Sequence, residues 1–194
     1  MGTGNLFAIV LAAGSASRFG ATKQLATIDG ETLVSRAVRL AEIVCGQSVV
    51  LVTGKDRTRV AAACAPLAGF FTVNTDYSSG LSSSIRAGIE AVSPAADAAL
   101  LLLADQPQIG IDDLMPLCAT WRRRPDAIVA SAYAGTVGPP AIFPRALFPA
   151  LSALDGDRGA KGVIEAHREN VELVECAAAA VDIDRPQDLE ELRN

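Results

Sequence analysis

Short apolar runs alternate along this chain with segments in which apolar residues recur at helical spacing. The runs of strand length cover residues 6–12, 48–53, 69–74, 97–105 and 126–133. Between them, apolar residues stand three and four positions apart, as is typical of amphipathic helices, over residues 31–44, 56–65, 83–92 and 111–123. Strands that alternate with helices predict βαβ units, so we expect an α/β fold of the Rossmann-like three-layer type with a mostly parallel sheet.

Two stretches of the chain make more specific predictions about the sheet. Residues 97–105 are apolar throughout between their two aspartates, which predicts a strand that is buried on both faces. Residues 136–181 are less regular, and the stretch GPPAIFPRALF contains three prolines, which predicts an edge strand or a loop leading to a short helix. No internal repeat or linker interrupts the sequence, so we expect residues 1–194 to form a single domain.

The charge balance narrows the range of partners. The 194 residues carry a formal net charge of −5, and no stretch is rich in lysine and arginine. Because neutralisation of phosphates dominates nucleic-acid affinity, we expect no nucleic-acid partner, although a small anionic substrate needs only a few local cations. No signal peptide is recognisable, and the longest apolar run is far shorter than the roughly 20 residues of a membrane span. We therefore expect a cytoplasmic protein that contacts no membrane.

Cysteine and histidine offer little catalytic chemistry in this sequence. Four cysteines lie far apart without a CxxC motif, so we expect buried free thiols rather than metal ligands or disulfides, at Cys45, Cys64, Cys118 and Cys176. His167 is the one histidine of the sequence, and it stands at the predicted end of a helix. With no nucleophile motif nearby, it fits a surface or helix-capping role better than a catalytic one.

The stretch LAAGSASRFGATKQL, residues 11–25, follows the first predicted strand and matches neither common phosphate-binding motif. The dinucleotide fingerprint needs G-x-G-x-x-G, whereas Gly14 and Gly20 are six positions apart; the P-loop needs one residue fewer between its glycines and a lysine directly after the second. The stretch does supply small residues that let a ligand approach the backbone, and two cations, Arg18 and Lys23. A nucleotide-binding loop and a solvated surface turn both remain open on this evidence.

Carboxylates after apolar segments favour the nucleotide interpretation. Asp105 ends the most apolar predicted strand, where an unpaired carboxylate is costly, so it could pair with a cation or hold Mg²⁺. Asp182 and Asp184 alternate with apolar residues near the C-terminus, which places both on one face of an extended segment. Asp184 could also serve as the N-cap of the last predicted helix. Because ligands of such sheets bind at the carboxyl ends of strands, we expect residues 11–25 and Asp105 to lie close together.

Six stretches, read in order, resemble the molybdenum-cofactor nucleotidyltransferases, and the CTP:molybdopterin cytidylyltransferases in particular. They are LAAGSASRFGATKQL, NTDYSSGLSSSIRAGI, LLLADQP, GPPAIFPRALF, GDRGAK and DIDRPQDL, and together they span nearly the whole chain. The resemblance implies a nucleotidyltransferase fold and a Mg²⁺-dependent transfer of CMP from CTP to the terminal phosphate of molybdopterin, with release of pyrophosphate. Ala13 and Thr22 resemble the cytidylyl branch, because the guanylyl branch tends to carry glycine and aspartate at these positions.

The resemblance also implies roles for individual residues. Arg18, Lys23 and Asp105 would be catalytic, and Asp105 would hold Mg²⁺ together with Asp184 or Asp182. The nucleotide would contact the catalytic residues and Leu11, Ala12, Ala13, Gly14, Asn74, Gly80, Ser82 and Ser83. The acceptor would contact Gln106, Pro107, Gly138, Pro139, Gly156, Asp157, Gly159 and Lys161. The substrates would be CTP and molybdopterin, and a molybdoenzyme client or its maturation chaperone would be a partner.

Three other functions remain open at this point. Guanylyl or other nucleotidyl transfer would use the same residues on a different base. Some proteins that resemble this family have been assigned oxidoreductase activity, so an NAD(P)H- or flavin-dependent enzyme on the same fold is a second alternative, although the sequence lacks G-x-G-x-x-G. A non-catalytic chaperone of the molybdenum cofactor is a third, although pure binding does not require a metal ligand.

Overall fold

The computed structural model describes residues 4–14, 19–65, 70–156 and 159–192. Its strands are β1 (Leu6–Ala12), β2 (Thr27–Ile28), β3 (Glu31–Thr32), β4 (Val49–Thr53), β5 (Phe70–Val73), β6 (Ala98–Leu103), β7 (Ile128–Tyr133), β8 (Thr136–Pro144) and β9 (Val171–Glu175). Its α-helices are α1 (Leu33–Cys45), α2 (Arg57–Ala63), α3 (Leu81–Ala91), α4 (Ile111–Arg123), α5 (Phe148–Ser152), α6 (Lys161–Ala166) and α7 (Pro186–Glu191).

Seven of the described strands form one sheet in the order β5-β4-β1-β6-β8-β7-β9, while β2 and β3 pair separately. β1 pairs in parallel with both β4 and β6, β4 with β5, and β7 with β9. β8 runs antiparallel to both of its neighbours, β6 and β7. The mostly parallel α/β sheet that the sequence predicts is therefore confirmed.

Helices cover both faces of the sheet because its central strands are apolar on both sides. In β1, Ala8 and Val10 pack with residues of α1 and α4, whereas Phe7 and Ile9 pack with residues of α3 and α6. Every residue of β1 is buried, and β6 is buried except at its last residue. This confirms the three-layer arrangement and the strand predicted to be buried on both faces. In the described part of the chain, no helix is long and apolar enough to cross a membrane.

The predicted helices are present, with small differences at their ends. The helix predicted over residues 31–44 begins two residues later, at Leu33, because Thr32 caps it: the Thr32 hydroxyl accepts a hydrogen bond from the backbone N–H of Ser35 at 3.2 Å. The helix predicted over residues 83–92 begins two residues earlier, at Leu81, directly after Gly80. The helix over 111–123 has the predicted ends.

The prediction of an edge strand or loop for GPPAIFPRALF is wrong, because most of this stretch lies in β8, inside the sheet between β6 and β7. The short helix predicted to follow is present as α5. The register of the β7–β8 pairing shifts between Ala130 and Ser131, so that Pro139 and Pro140 fall where the pairing is interrupted. A proline without an N–H is tolerated at such an irregularity. Ser131 supports it by donating its hydroxyl to the Pro140 carbonyl oxygen at 2.7 Å.

Gly88 lets α3 lie close to the two strands whose carboxyl ends carry the candidate site. A Cβ at Gly88 would stand 2.5 Å from Cγ2 of Ile9 and 3.2 Å from Cγ2 of Val52. We therefore expect Gly88→Ala to lower the free energy of unfolding by about 1–3 kcal/mol, since extra volume in a packed core forces side chains and backbone apart. Urea unfolding followed by circular dichroism measures this.

Gly162 provides the matched control for this substitution. It lies in α6, and a Cβ there would meet no atom within 4 Å. Gly162→Ala should leave the stability unchanged or raise it by less than about 1 kcal/mol, because alanine loses less conformational entropy in a helix. Equal effects of the two substitutions would contradict the tight packing of α3 on β1 and β4.

Candidate active site

The candidate site begins where β1 and β6 end side by side. The two strands are parallel neighbours with Leu11 opposite Leu103, and the backbone N–H of Ala104 donates to the Leu11 carbonyl oxygen at 3.2 Å. Asp105 therefore emerges next to the stretch that follows β1. The Asp105 carbonyl oxygen accepts from the backbone N–H of Ile183 at 2.9 Å, which brings the C-terminal carboxylates to the same edge of the sheet.

Lys23 joins these segments through its side chain. It begins a short 3₁₀ turn, Lys23–Leu25, and only 9% of the residue is exposed. Its Nζ lies 2.6 Å from Oδ2 of Asp105 and 3.1 Å from Oδ1 of Asp184. Burial alone would lower the pKa of Lys23, but the two carboxylates outweigh it and raise the pKa above its ordinary value. The ammonium group is therefore charged and held between two anions.

The segment carrying Asp184 is fixed from both sides. Ile183 is fully buried in a small cluster with Leu33 and Leu189, so that Asp182 and Asp184 point away from this cluster, as the alternation of the sequence predicts. Asp184 is not the N-cap of α7, however. Arg185 is the N-cap residue, and the Asp188 carboxylate accepts from the backbone N–H groups of Asp184 and Arg185, both at 2.8 Å.

Lys23, Asp105 and Asp184 form a lysine–carboxylate cluster, and Asp182 interacts electrostatically with all three. The pKa of Asp182 is unusual. Although the residue is exposed in part, burial of its carboxyl group is the main cause that raises its pKa to about 6, and the negative charge of Asp105 adds to the effect. A hydrogen bond from Gln106 and the charge of Lys23 act in the opposite direction. Asp182 therefore takes up a proton more readily than an ordinary aspartate.

The donor atoms of the cluster fit a hard divalent cation. In the described parts of the chain, no three His, Cys, Asp or Glu side chains are grouped closely enough to hold a metal ion by themselves. Asp105 and Asp184, however, already place one oxygen each around the same positive charge, that of Lys23. Mg²⁺ typically binds through one or two carboxylates together with water and substrate phosphates, so this pair suits Mg²⁺ as a site completed by a phosphate ligand.

Residues 12–14, at the end of β1, form one wall of a cavity of about 290 Å³. The other walls come from residues 20–22, later in the same stretch, and from residues 54–56, which follow β4. A Cβ on Gly54 would lie 2.7 Å from the Ala13 carbonyl oxygen, so only glycine allows this close approach. Ala12 and Ala13 are buried and Gly14 is exposed, whereas Arg18 lies outside the described residues.

Two contacts at this cavity were not expected from the sequence. The Thr22 hydroxyl donates to the Asp56 carboxylate, which ties the residue before Lys23 to the segment after β4. Gln24, which is buried, donates its Nε2 to the Gly14 carbonyl oxygen at 3.1 Å. Both contacts hold Lys23 from its two sequence neighbours. The available signal was the position of Asp56, close to the carboxyl end of a predicted parallel strand.

A buried amide network organises the start of α3. Asn74 is 4% exposed, and its Nδ2 donates to the hydroxyls of Ser83 at 2.8 Å and Ser84 at 3.0 Å. The Ser83 hydroxyl in turn donates to the Gly80 carbonyl oxygen at 2.8 Å, and Gly80 has a φ of +97° that disfavours other residues. Ser82 is fully buried. Four residues predicted to bind nucleotide are therefore brought together between the end of β5 and the first turn of α3.

The residues predicted to bind the acceptor fall into three places. Gln106 and Pro107 are buried, and Gln106 Nε2 donates to the carbonyl oxygens of Ala179 at 2.9 Å and Pro139 at 3.4 Å, next to Gly138 in β8. Gly156 and Gly159 adjoin α3: the Gly156 carbonyl oxygen accepts from the Ser82 backbone N–H at 3.2 Å. The third place is described next.

Lys161 stands at a separate cavity. It is exposed at the start of α6, with Nζ 3.4 Å from the Thr136 hydroxyl, beside a cavity of about 330 Å³. Asp157 lies outside the described residues. The structure therefore places Gln106 beside Asp105 and the glycines beside α3, while Lys161, two positions after Gly159, lines a cavity of its own.

The cysteines and the histidine take no part in this cluster. All four cysteines are free, and burial raises the pKa of Cys45 to about 12 and that of Cys64 to about 11. His167 follows the end of α6, and its Nδ1 lies 2.9 Å from the Val163 carbonyl oxygen. The predicted burial is confirmed for Cys64, Cys118 and Cys176, whereas Cys45 is only half-buried, and His167 caps the end of α6 as predicted.

The mostly parallel sheet between two layers of helices is the α/β fold of nucleotidyltransferases. The chain belongs to the family of the MobA-like NTP transferase domain, whose model matches residues 8–171. It is a nucleotidyltransferase, and its fold agrees with that of a nucleotidyl transferase from Methanothermobacter, at 21% identity and a TM-score of 0.83 over 99% of this chain and 97% of the other.

Three relatives that match most of this chain bear names that describe three different functions. "Purine catabolism protein PucB" of Bacillus subtilis is 28% identical over 97% of this chain and 96% of its own length. "Nicotine blue oxidoreductase" of Paenarthrobacter nicotinovorans is 30% identical, with 87% and 86% covered. "Molybdenum cofactor cytidylyltransferase" of Escherichia coli is 26% identical, with 93% and 91% covered. A structure of Rv0371c from Mycobacterium tuberculosis in complex with manganese is 28% identical, with a TM-score of 0.80 over 97% of both chains.

Because folding raises the pKa of Asp182, the free energy of unfolding depends on pH. Its pKa in the folded protein, about 6, lies above the 3.8 of an ordinary aspartate, so the folded state holds the proton more tightly. The stabilisation that follows is fully present below about pH 4 and is lost as the pH rises through 6. We expect Asp182→Asn to stabilise the protein relative to wild type more at pH 7.5 than at pH 4.5, as measured by urea unfolding. An equal difference at both pH values would show that Asp182 has an ordinary pKa.

Proposed function

We propose that this protein transfers CMP from CTP to the terminal phosphate of the molybdenum cofactor, molybdopterin, and releases pyrophosphate in a Mg²⁺-dependent reaction. The observation that carries the proposal is the meeting of Lys23, Asp105 and Asp184 at the carboxyl ends of β1 and β6. This cluster offers both a cation for phosphates and two carboxylates for a metal ion. The relative named molybdenum cofactor cytidylyltransferase and the relative solved with manganese support the same chemistry.

The cationic side chains bind the nucleotide, and the carboxylates bind the metal ion. Lys23, together with Arg18 from the same stretch, binds the triphosphate and stabilises the negative charge that develops on pyrophosphate as it leaves. Asp105 and Asp184 hold Mg²⁺, which when bound neutralises charge on the phosphate oxygens. The backbone of residues 12–14 and the turn formed by Asn74, Gly80 and Ser83 bind the nucleoside.

The reaction needs no nucleophilic side chain from the protein. An oxygen of the acceptor's terminal phosphate attacks the α-phosphorus of CTP, a new P–O bond forms, and the bond from the α-phosphorus to the bridging oxygen breaks. The bond electrons leave with pyrophosphate. The attacking phosphate is already ionised at neutral pH, so no general base is required and most of the catalysis comes from positioning and charge. This agrees with the placement of the cysteines and His167 outside the cluster.

The residues proposed to bind the acceptor form two groups, with Lys161 in addition. Gln106, Pro107, Gly138 and Pro139 stand next to Asp105, and Gly156 and Gly159 stand next to α3, so they flank the place where the α-phosphate would lie. Lys161 with Thr136 would contact a more distant part of the acceptor. A molybdoenzyme or its maturation chaperone would receive the product.

A panel of nucleotides tests the proposed activity. The protein is incubated with Mg²⁺, molybdenum-loaded molybdopterin and CTP, GTP, ATP or UTP, and pyrophosphate and product mass are measured. We expect pyrophosphate release with CTP to exceed that with every other nucleotide, with a product heavier by one CMP. A preference for GTP would make the protein a guanylyltransferase, and no pyrophosphate with any nucleotide would refute nucleotidyl transfer to this acceptor.

The role of Asp105 has its own test. Asp105→Asn keeps the size of the side chain but removes one charged oxygen ligand, so we expect kcat to fall by at least about 100-fold, in the range seen when one charge-stabilising group is removed. Asp112→Asn, an exposed position on α4, is the matched control and should retain wild-type kcat. If Asp105→Asn stays within threefold of wild type, roughly 0.7 kcal/mol of barrier, Asp105 does not hold the metal.

The relative named nicotine blue oxidoreductase makes a redox function the second candidate. Purified protein would then show flavin absorbance or bind NADH in a fluorescence titration. We expect neither, because the stretch after β1 has no G-x-G-x-x-G motif for a dinucleotide. A pure chaperone of the cofactor would instead bind molybdopterin tightly without releasing pyrophosphate.

A further inference from the structure

The Lys23 ammonium lies at the position that a metal ion would need. Its Nζ is 2.6 Å from Asp105 Oδ2 and 3.1 Å from Asp184 Oδ1, so it sits between the two oxygens. These oxygens belong to segments that are far apart in the sequence, and Lys23 and Asp184 are separated by 161 positions. The lysine side chain is 11% exposed, so it fills a space that water barely reaches.

A metal ion and this ammonium exclude each other. Mg²⁺ binds carboxylate oxygens at about 2.0–2.1 Å, so an ion bonded to both oxygens would lie in the space between them. The ammonium nitrogen occupies that space, and two positive charges at such a distance repel each other. In the arrangement observed, the carboxylates can therefore hold the ammonium or a metal ion, but not both.

We infer that Lys23 acts as an internal counter-ion that keeps free divalent cations off Asp105 and Asp184 until a nucleotide arrives. This rests on the proposed function, because the triphosphate supplies the anionic oxygens that draw the ammonium away. The same nucleotide brings its own divalent cation to the carboxylates that Lys23 releases. Lys23 thus serves twice: it protects the metal-binding oxygens before the reaction and binds the phosphates during it.

The charge count of the cluster supports this order. Lys23, Asp105 and Asp184 together carry one negative charge, and Asp182 is close enough to interact electrostatically with Asp105, Asp184 and Lys23. Without the lysine, Asp105 and Asp184 would lose the ammonium that lies between them, beside a third carboxylate, which favours a divalent cation. With the lysine, the two carboxylates already have hydrogen-bonded partners, and a free cation would have to displace a buried charge to enter.

Manganese binding without nucleotide tests the inference directly. Mn²⁺ is titrated into the protein and free Mn²⁺ is followed by electron paramagnetic resonance. We expect Lys23→Met to bind Mn²⁺ at least tenfold more tightly than wild type, whereas Lys23→Arg, which keeps the positive charge, should bind as weakly as wild type. Arg59→Met, which removes an exposed charge on α2, is the matched control and should leave the affinity unchanged.

A second substitution shows where the ion binds. Adding Asp105→Asn to Lys23→Met should abolish the gain in affinity, because one of the two oxygens is then lost. Should Lys23→Met fold poorly, Lys23→Gln reads out the same change, and Mn²⁺ should raise its melting temperature more than that of wild type. The inference would be overturned if wild type bound Mn²⁺ as tightly as, or more tightly than, both Lys23→Met and Lys23→Gln.

The outcome also separates this inference from the proposed function. Mn²⁺ binding uses no substrate, so tighter binding by Lys23→Met supports the counter-ion role even if the nucleotide panel gives no pyrophosphate. Conversely, CTP-dependent pyrophosphate release together with equal Mn²⁺ affinities would keep the transferase and reject the counter-ion role.

Discussion

The ion contacts of Lys23 with Asp105 and Asp184 are the interaction on which the candidate site depends. They connect the stretch after β1, the end of β6 and the C-terminal segment, which are far apart in the sequence. Such ion contacts contribute little net stability, because desolvation of the lysine and screening of the exposed Asp184 carboxylate offset most of the attraction. Their presence at the carboxyl edge of a parallel sheet, where ligands of such folds bind, therefore indicates function rather than structural reinforcement.

The fold holds this cluster by packing and backbone hydrogen bonds. The parallel pairing of β1 with β6 fixes the distance between their carboxyl ends, and the backbone contact between Ile183 and Asp105 brings in the C-terminal segment. Thr22 and Gln24 anchor the residues on either side of Lys23. The backbone that carries Lys23 and the two carboxylates is thus positioned before any ligand binds, which favours electrostatic catalysis.

The sequence predicted most strands, the parallel sheet and the convergence of the first loop with Asp105, because hydrophobic periodicity reports burial directly. It failed for β8, where the register shift that accommodates Pro139 and Pro140 depends on the neighbouring strand. It also assigned Asp184 as a possible N-cap, whereas Asp188 caps α7 from inside the helix. The contact of Thr22 with Asp56 joins residues 34 positions apart, and no local pattern encodes such a pair.

The residues proposed to bind the two substrates differ in how tightly the fold constrains them. Among those proposed for the nucleotide, Ala12, Ala13, Asn74 and Ser82 are buried. Among those proposed for the acceptor, Gln106 is buried, whereas Gly156, in the turn after α5, and Lys161, at the start of α6, are exposed. Changes at exposed positions cost little stability, so acceptor specificity can diverge while the cation–carboxylate cluster is kept. This divergence agrees with the different names of the three relatives, each of which matches this chain over most of its length.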